Sequence, residues 1–102
     1  MEYLFIQRSG DREKIMELLI EFNLCSKQDL VSRYNRSVEV GILGVHAQAQ
    51  MLIALRSTFI TNFGKSPINI EENAIISLTD KIELIGEDWQ YINPKNELIC
   101  NI

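Results

Sequence analysis

The sequence is poor in the residues from which metal centres and disulfide frameworks are built. It has two cysteines, Cys25 and Cys100, and one histidine, His46. The cysteines lie far apart without the spacing of metal ligands, and a single imidazole cannot supply a site built on several histidines. We therefore expect no metal, no cofactor and no disulfide framework, and we expect the reducing environment of the cytoplasm.

Long apolar runs are also missing. The longest stretch without a charged residue, 40–55, contains His46, Gln48 and Gln50. It is shorter than the roughly 20 apolar residues that span a bilayer. The amino terminus has an early acid, Glu2, and only a short apolar run, unlike a secretory signal. The sequence therefore predicts neither a membrane segment nor an export signal.

Basic residues are scarce towards the carboxyl end. Residues 1–65 hold eight lysines and arginines against seven acids, whereas residues 66–102 hold two lysines against seven acids. An end with this charge repels a phosphate backbone and attracts a basic surface. We therefore expect no nucleic acid as a ligand. The expected partner is another protein with a basic surface, or a second copy of the chain.

Helical periodicity dominates the first part of the sequence. A short apolar run at 3–6 is compatible with a first strand, and residues 11–22 place apolar side chains on one face of a helix. On the outer side of that helix, glutamates recur every four residues, which is typical of a solvated face but also fits an acidic contact stripe. Ser26 with Asp29 resembles a capping box and predicts a second helix that ends near 35–37.

A long central helix is the next predicted element. Residues 38–42 alternate like a strand but lead without a turn into a helical segment, so both states stay open, with a helix or an irregular lead-in favoured. From about Leu43 to Phe63 the helix is apolar on most sides, which indicates burial against several neighbours. Gly64 and Pro67 mark its end.

Beyond the central helix the apolar period changes from helical to two. Short apolar runs separated by turn residues predict strands that pair sequentially in an antiparallel meander. The predicted strands are 68–70, 74–79, 82–84, 89–92 and 98–102. With 46% apolar residues in 102, a packed core is expected. The prediction is a single α+β domain, residues 1–102, in which an N-terminal helical part and the central helix pack on the meander.

Acidic and aromatic residues of the predicted sheet are the first candidate site. Paired carboxylates fall at predicted turns, and aromatic side chains follow one of these turns on a strand. Aromatic residues also commonly fill the core beneath a sheet, and this role is favoured for the two aromatic candidates. The candidate partner-binding residues are Glu71, Glu72, Glu83, Glu87, Asp88, Trp89 and Tyr91.

Polar residues of the central helix are the second candidate site. On a helix, His46, Gln50 and Ser57 fall on one narrow side, together with Thr61, and could line a polar pocket. A solvated strip, or a buried imidazole satisfied by a backbone carbonyl, explains the same pattern. Nothing in the local sequence activates either cysteine as a nucleophile.

The sequence favours a non-catalytic protein over an enzyme, because no catalytic constellation is present. We expect an intracellular module that binds a basic protein partner through an acidic sheet surface. An immunity protein, an antitoxin, an adaptor or a self-associating regulator would fit. The alternative is a small-molecule binding protein or small enzyme with a pocket around His46. No motif is specific enough to name a family.

Overall fold

The computed structural model describes residues 2–72 and 74–92. The helices are α1 (Asp11–Phe22), α2 (Lys27–Val40) and α3 (His46–Phe63). The strands are β1 (Glu2–Leu4), β2 (Asn69–Ile70), β3 (Ile75–Ser77), β4 (Ile82–Ile85) and β5 (Asp88–Tyr91). The predicted α+β class and the short first strand are confirmed. The strand predicted at 98–102 lies outside the described residues.

Local signals explain the helix boundaries. The Ser26 hydroxyl accepts a hydrogen bond from the backbone N–H of Asp29 at 3.1 Å, so the predicted cap of α2 is present. Gly64 closes α3 in the left-handed conformation, with φ at 78°. The predicted end of α2 near 35–37 was wrong, because the helix continues to Val40. Half-buried Val38, in this last turn, packs against the core. Residues 38–40 are therefore helical.

The strands form two small antiparallel sheets. In the first sheet β3 lies in the centre, between β1 and β2. The second sheet is the β4–β5 hairpin. The predicted antiparallel pairing is confirmed, but the strands are not one continuous meander. Strand β1, at the amino terminus, pairs with β3, with Tyr3 opposite Ile76. It therefore occupies the edge of β3 to which β4 would pair in a meander.

A shared hydrophobic core joins the three helices to both sheets. Its largest buried side chains come from α1 (Phe22), α2 (Tyr34), α3 (Phe59), β3 (Ile76) and β4 (Ile82). Helix α3 packs on α1 and α2 and contacts the hairpin through Phe59 and Trp89, which explains why its sequence is apolar on most sides. Within the part of the chain that the structure describes, no helix has both the length and the apolar character to cross a membrane.

Candidate functional site

The β4–β5 hairpin places its aromatic and acidic candidates on opposite faces. Trp89 lies opposite Leu84 and Tyr91 lies opposite Ile82, on the face that packs on the core. Glu83 is the next residue along β4, so it points to the other face, because side chains alternate along a strand. The first candidate site requires aromatic and acidic side chains on one face, and the hairpin therefore does not provide this arrangement.

Trp89 is a core residue. Its side chain is 5% exposed, and its ring meets Phe59 edge-on with the ring centroids 6.5 Å apart. The indole N–H donates a hydrogen bond to the backbone carbonyl of Lys65 at 3.2 Å. The core interpretation of Trp89 is thus supported, and this residue offers almost no surface to a partner. Tyr91, at the rim of the hairpin, is 41% exposed.

The acidic candidates are exposed and fall into two clusters. Glu71 and Glu72 follow β2 in the first sheet, whereas Glu83, Glu87 and Asp88 belong to the hairpin. Glu87 pairs with Lys27 of α2 and Asp88 pairs with Lys65, which follows α3, so the negative charge of the hairpin turn is reduced. The distances are 3.0 Å from Lys27 to Glu87 and 3.4 Å from Lys65 to Asp88.

Three predicted acidic residues have no ion-pair partner among the described residues. Glu71, Glu72 and Glu83 form no ion pair with any other residue that the structure describes. Exposed Asp80, which precedes β4, shares this property. The negative potential of residues 66–92 therefore depends on these four carboxylates more than on the hairpin turn.

The second candidate site is built around a residue that the sequence did not single out, Asp11. The Asp11 carboxylate lies between α1 and α3, and the residue is 2% exposed. Its Oδ1 atom is 2.7 Å from His46 Nε2 and accepts a hydrogen bond from the Gln50 amide, also at 2.7 Å. Its Oδ2 atom accepts from the backbone N–H of Arg8 at 2.6 Å. We call these three side chains, Asp11, His46 and Gln50, the Asp11 cluster.

The hydrogen bonds of the Asp11 cluster keep its carboxylate ionised. Burial raises the pKa of Asp11, but the hydrogen bonds from Arg8, His46 and Gln50 together lower it by more, and the pKa falls below its ordinary value. The His46 ring stacks on Phe5 with the ring centroids 5.0 Å apart. The cluster therefore fixes the start of α1 to the first turn of α3.

The described residues bring no nucleophile to the Asp11–His46 pair. A catalytic aspartate–histidine pair needs the second imidazole nitrogen to reach a nucleophile or a substrate. His46 Nδ1 is buried and has no hydrogen-bond partner among the described residues. Ser57 lies about 16 Å further along α3, at 1.5 Å per residue, so the structure unites His46 and Gln50 but not Ser57.

Asp11 was missed because its sequence signal has a second explanation. An acid in the first turn of a helix is expected from the helix dipole alone. The useful signal was on α3, where His46 and Gln50 stand one turn apart on a largely apolar helix. Polar side chains that are largely removed from solvent need hydrogen-bond partners, and one acidic side chain can serve both. A search for acids at helix starts would then have found Asp11.

Two cavities lie near the candidate residues. One, of about 530 Å³, lies between the end of α3 and the first sheet, and Arg56, Lys65 and Glu71 are among its lining residues. The other, of about 320 Å³, lies beside the start of α1, and Asp11 lines it with Phe5. His46 lines neither.

Metal binding finds no support in the described ranges, since they bring together no group of three histidine, cysteine or acidic side chains. Cys25 is a free, half-buried thiol, and Cys100 lies outside these ranges. The comparisons with known proteins do not identify the site. No protein-family model matches the chain, and neither does any curated protein or any solved structure.

Proposed function

We propose that this protein is a non-catalytic binding module that docks a basic surface of another protein. The observation that carries the proposal is the set of four exposed carboxylates without ion pairs in the described part of residues 66–92. These are Glu71, Glu72, Asp80 and Glu83. An immunity protein, an antitoxin or an adaptor would use such exposed carboxylates. The acids accelerate the encounter with a basic partner and exclude acidic ones.

The alternative, a pocket for a small molecule around His46, has less support. His46 Nε2 and the Gln50 amide both contact Asp11, and His46 Nδ1 is buried. The polar groups that would recognise a ligand are therefore used within the protein. A binding pocket needs convergent polar groups that are free to meet a ligand.

The proposal is tested by charge neutralisation with a matched control. The test variant is E71Q/E72Q/E83Q, and the control, E13Q/E17Q/E21Q, removes the same number of charges from α1. Each tagged protein is used to capture partners from native lysate at 50 mM and 500 mM salt, with identification by mass spectrometry. We expect the test variant to lose, at low salt, one basic protein that the wild type and the control both retain. High salt should release the partner, because it screens exposed charges.

Two results would count against this function. One is equal capture by the test variant and the wild type, which would mean that the carboxyl-terminal acids take no part. The other is capture of no partner by the wild type at low salt. If only the α1 control lost the partner and the test variant kept it, the docking surface would lie on α1.

A further inference from the structure

Helix α1 presents a row of apolar side chains to solvent. Met16 and Ile20 of α1, and Leu24 in the turn that follows the helix, succeed one another at intervals of four residues, and their exposed fractions are 53%, 67% and 86%. The buried face of the helix, which includes Phe22, is on the other side. Contiguous exposed apolar side chains are unusual in a folded domain and typically mark an interaction site. We call Met16, Ile20 and Leu24 the α1 stripe.

A row of acids runs beside the α1 stripe. Glu13, Glu17 and Glu21 each precede a stripe residue by three positions, so the two rows are neighbours on the helix surface. All three glutamates are exposed. Lys14 lies 3.8 Å from Glu17, while Glu13 and Glu21 form no ion pair within the described ranges. The stripe therefore has a negative border.

The α1 stripe continues into a concave site. The cavity of about 320 Å³ opens beside Met16. Phe5, Ile15 and Ile53 contribute to its apolar wall, and Gln7, Asp11 and Arg12 form its polar part. A cavity of this kind accepts a large apolar side chain, which is how helices that bind in grooves are anchored. The surface thus combines an anchor site, an apolar row and an acidic border.

We infer that this surface of α1 docks a basic amphipathic helix of another protein. One large apolar side chain of that helix enters the cavity beside Met16, and the apolar residues of its following turns lie on Ile20 and Leu24. Lysines or arginines along the border of the helix face Glu13, Glu17 and Glu21. The inference rests on a different part of the chain from the proposed function, so either can fail without the other.

Charge favours a basic partner over a second copy. In a twofold dimer the same patch meets itself, so two rows of glutamates would be brought to one interface. Like charges at an interface are costly. A basic helix replaces this repulsion with attraction.

The test uses an 18-residue synthetic peptide of leucine and lysine, designed as a helix with leucines on one face and lysines on both borders. A second peptide of the same composition has its leucines distributed around the helix. Binding to the full chain is measured by fluorescence anisotropy at 50 mM and 500 mM salt, and the contact surface is mapped by amide chemical-shift changes. We expect shifts in residues 12–24 and beside the cavity, and at least tenfold weaker binding of the scrambled peptide.

Variants distinguish binding at the α1 surface from attraction of the peptide to acidic residues elsewhere in the chain. Ile20→Ser should weaken binding at least fivefold, whereas Ile85→Ser, which removes an exposed isoleucine from the hairpin, should leave it unchanged. E13Q/E17Q/E21Q should remove most of the salt dependence, and E71Q/E72Q/E83Q should not. Circular dichroism confirms that each variant is folded.

Several outcomes would overturn the inference. They are chemical-shift changes confined to the hairpin, equal binding of the two peptides, and no binding at millimolar peptide. Concentration-dependent dimerisation through α1, seen by sedimentation of the free protein, would assign the stripe to a second copy instead.

Discussion

Asp11 is a charged side chain held inside the protein by the hydrogen bonds that it accepts. Its pKa lies below the ordinary value, so the folded protein holds the carboxylate deprotonated more strongly than the unfolded chain does. The sign of the pH effect follows from this difference. The stabilisation is fully present above the unfolded pKa of about 4 and is lost as the pH falls through the lowered pKa of the folded state.

We predict that Asp11→Asn reduces the loss of stability in acid. The substitution removes the ionisable group, so the variant is less stable than the wild type at pH 7 and the two approach each other below pH 4. Urea denaturation at a series of pH values between 7 and 2 measures the effect. A wild-type and a variant curve that fall in parallel would contradict it.

Glu39 provides the control for this experiment. The hydrogen bond and charge of Lys81 lower the pKa of Glu39, so it too contributes stability that is lost in acid. The pair is exposed, with 2.8 Å between Lys81 Nζ and Glu39 Oε1. Salt screens an exposed pair much more than a buried one. The effect of Glu39→Gln should therefore disappear at 1 M salt, while that of Asp11→Asn should persist.

At the scale of single elements, the start of α2 depends on one hydroxyl. The Ser26 side chain satisfies the N–H of Asp29, which has no partner within the helix. We predict that Ser26→Ala lowers the free energy of unfolding by about 1 kcal/mol. Urea denaturation measures the change. Ser32→Ala, on the exposed side of the same helix, is the control and should change stability by less than about 0.5 kcal/mol.

Elements with strong local signals could be predicted from the sequence. The range 11–22 for α1 followed from helical spacing, and the end of α3 followed from Gly64. These signals act within one turn of the chain. The end of α2 at Val40 has a comparable signal, because Gly41 has φ at 80° and its N–H donates to the Ser37 carbonyl, but the strand-like alternation of residues 38–42 obscured it.

Pairings between distant segments could not be predicted. Strand β1 pairs with β3 across more than 70 residues, and no sequence pattern within β1 identifies β3 as its partner. The same reason applies to the candidate site. His46 and Gln50 were found together because they share a helix face, whereas Asp11, 35 positions before His46, is brought to them only by the packing of α1 on α3.

At the scale of the whole molecule, Asn35 connects the helices to the hairpin. Its side-chain amide donates to the backbone carbonyl of Ile82, and its carbonyl accepts from the backbone N–H of Ile82, both at 2.8 Å. The side chain thus pairs with β4 as a neighbouring strand would. An isolated two-stranded hairpin is marginally stable in water, so β4 and β5 depend on such connections and on the shared core.

We predict that Asn35→Ala destabilises the entire protein in one transition. Removal of the amide leaves the N–H and the carbonyl of Ile82 without their partners, at a cost of about 1–3 kcal/mol. Trp89 is the single tryptophan, so its fluorescence reports on the hairpin, while circular dichroism reports on the helices. Because Trp89 and Phe59 belong to one core, the two signals should move together to lower urea concentration.

Asn62 is the matched control, since its amide donates to the carbonyl of Thr58 within the same helix. Asn62→Ala removes a bond that connects no two elements and should have a small effect. If the fluorescence transition of Asn35→Ala moved alone, the hairpin would unfold as a separate unit. Its acids would then belong to a segment that can detach from the helices, and a basic partner could be held by the hairpin without contact to the rest of the molecule.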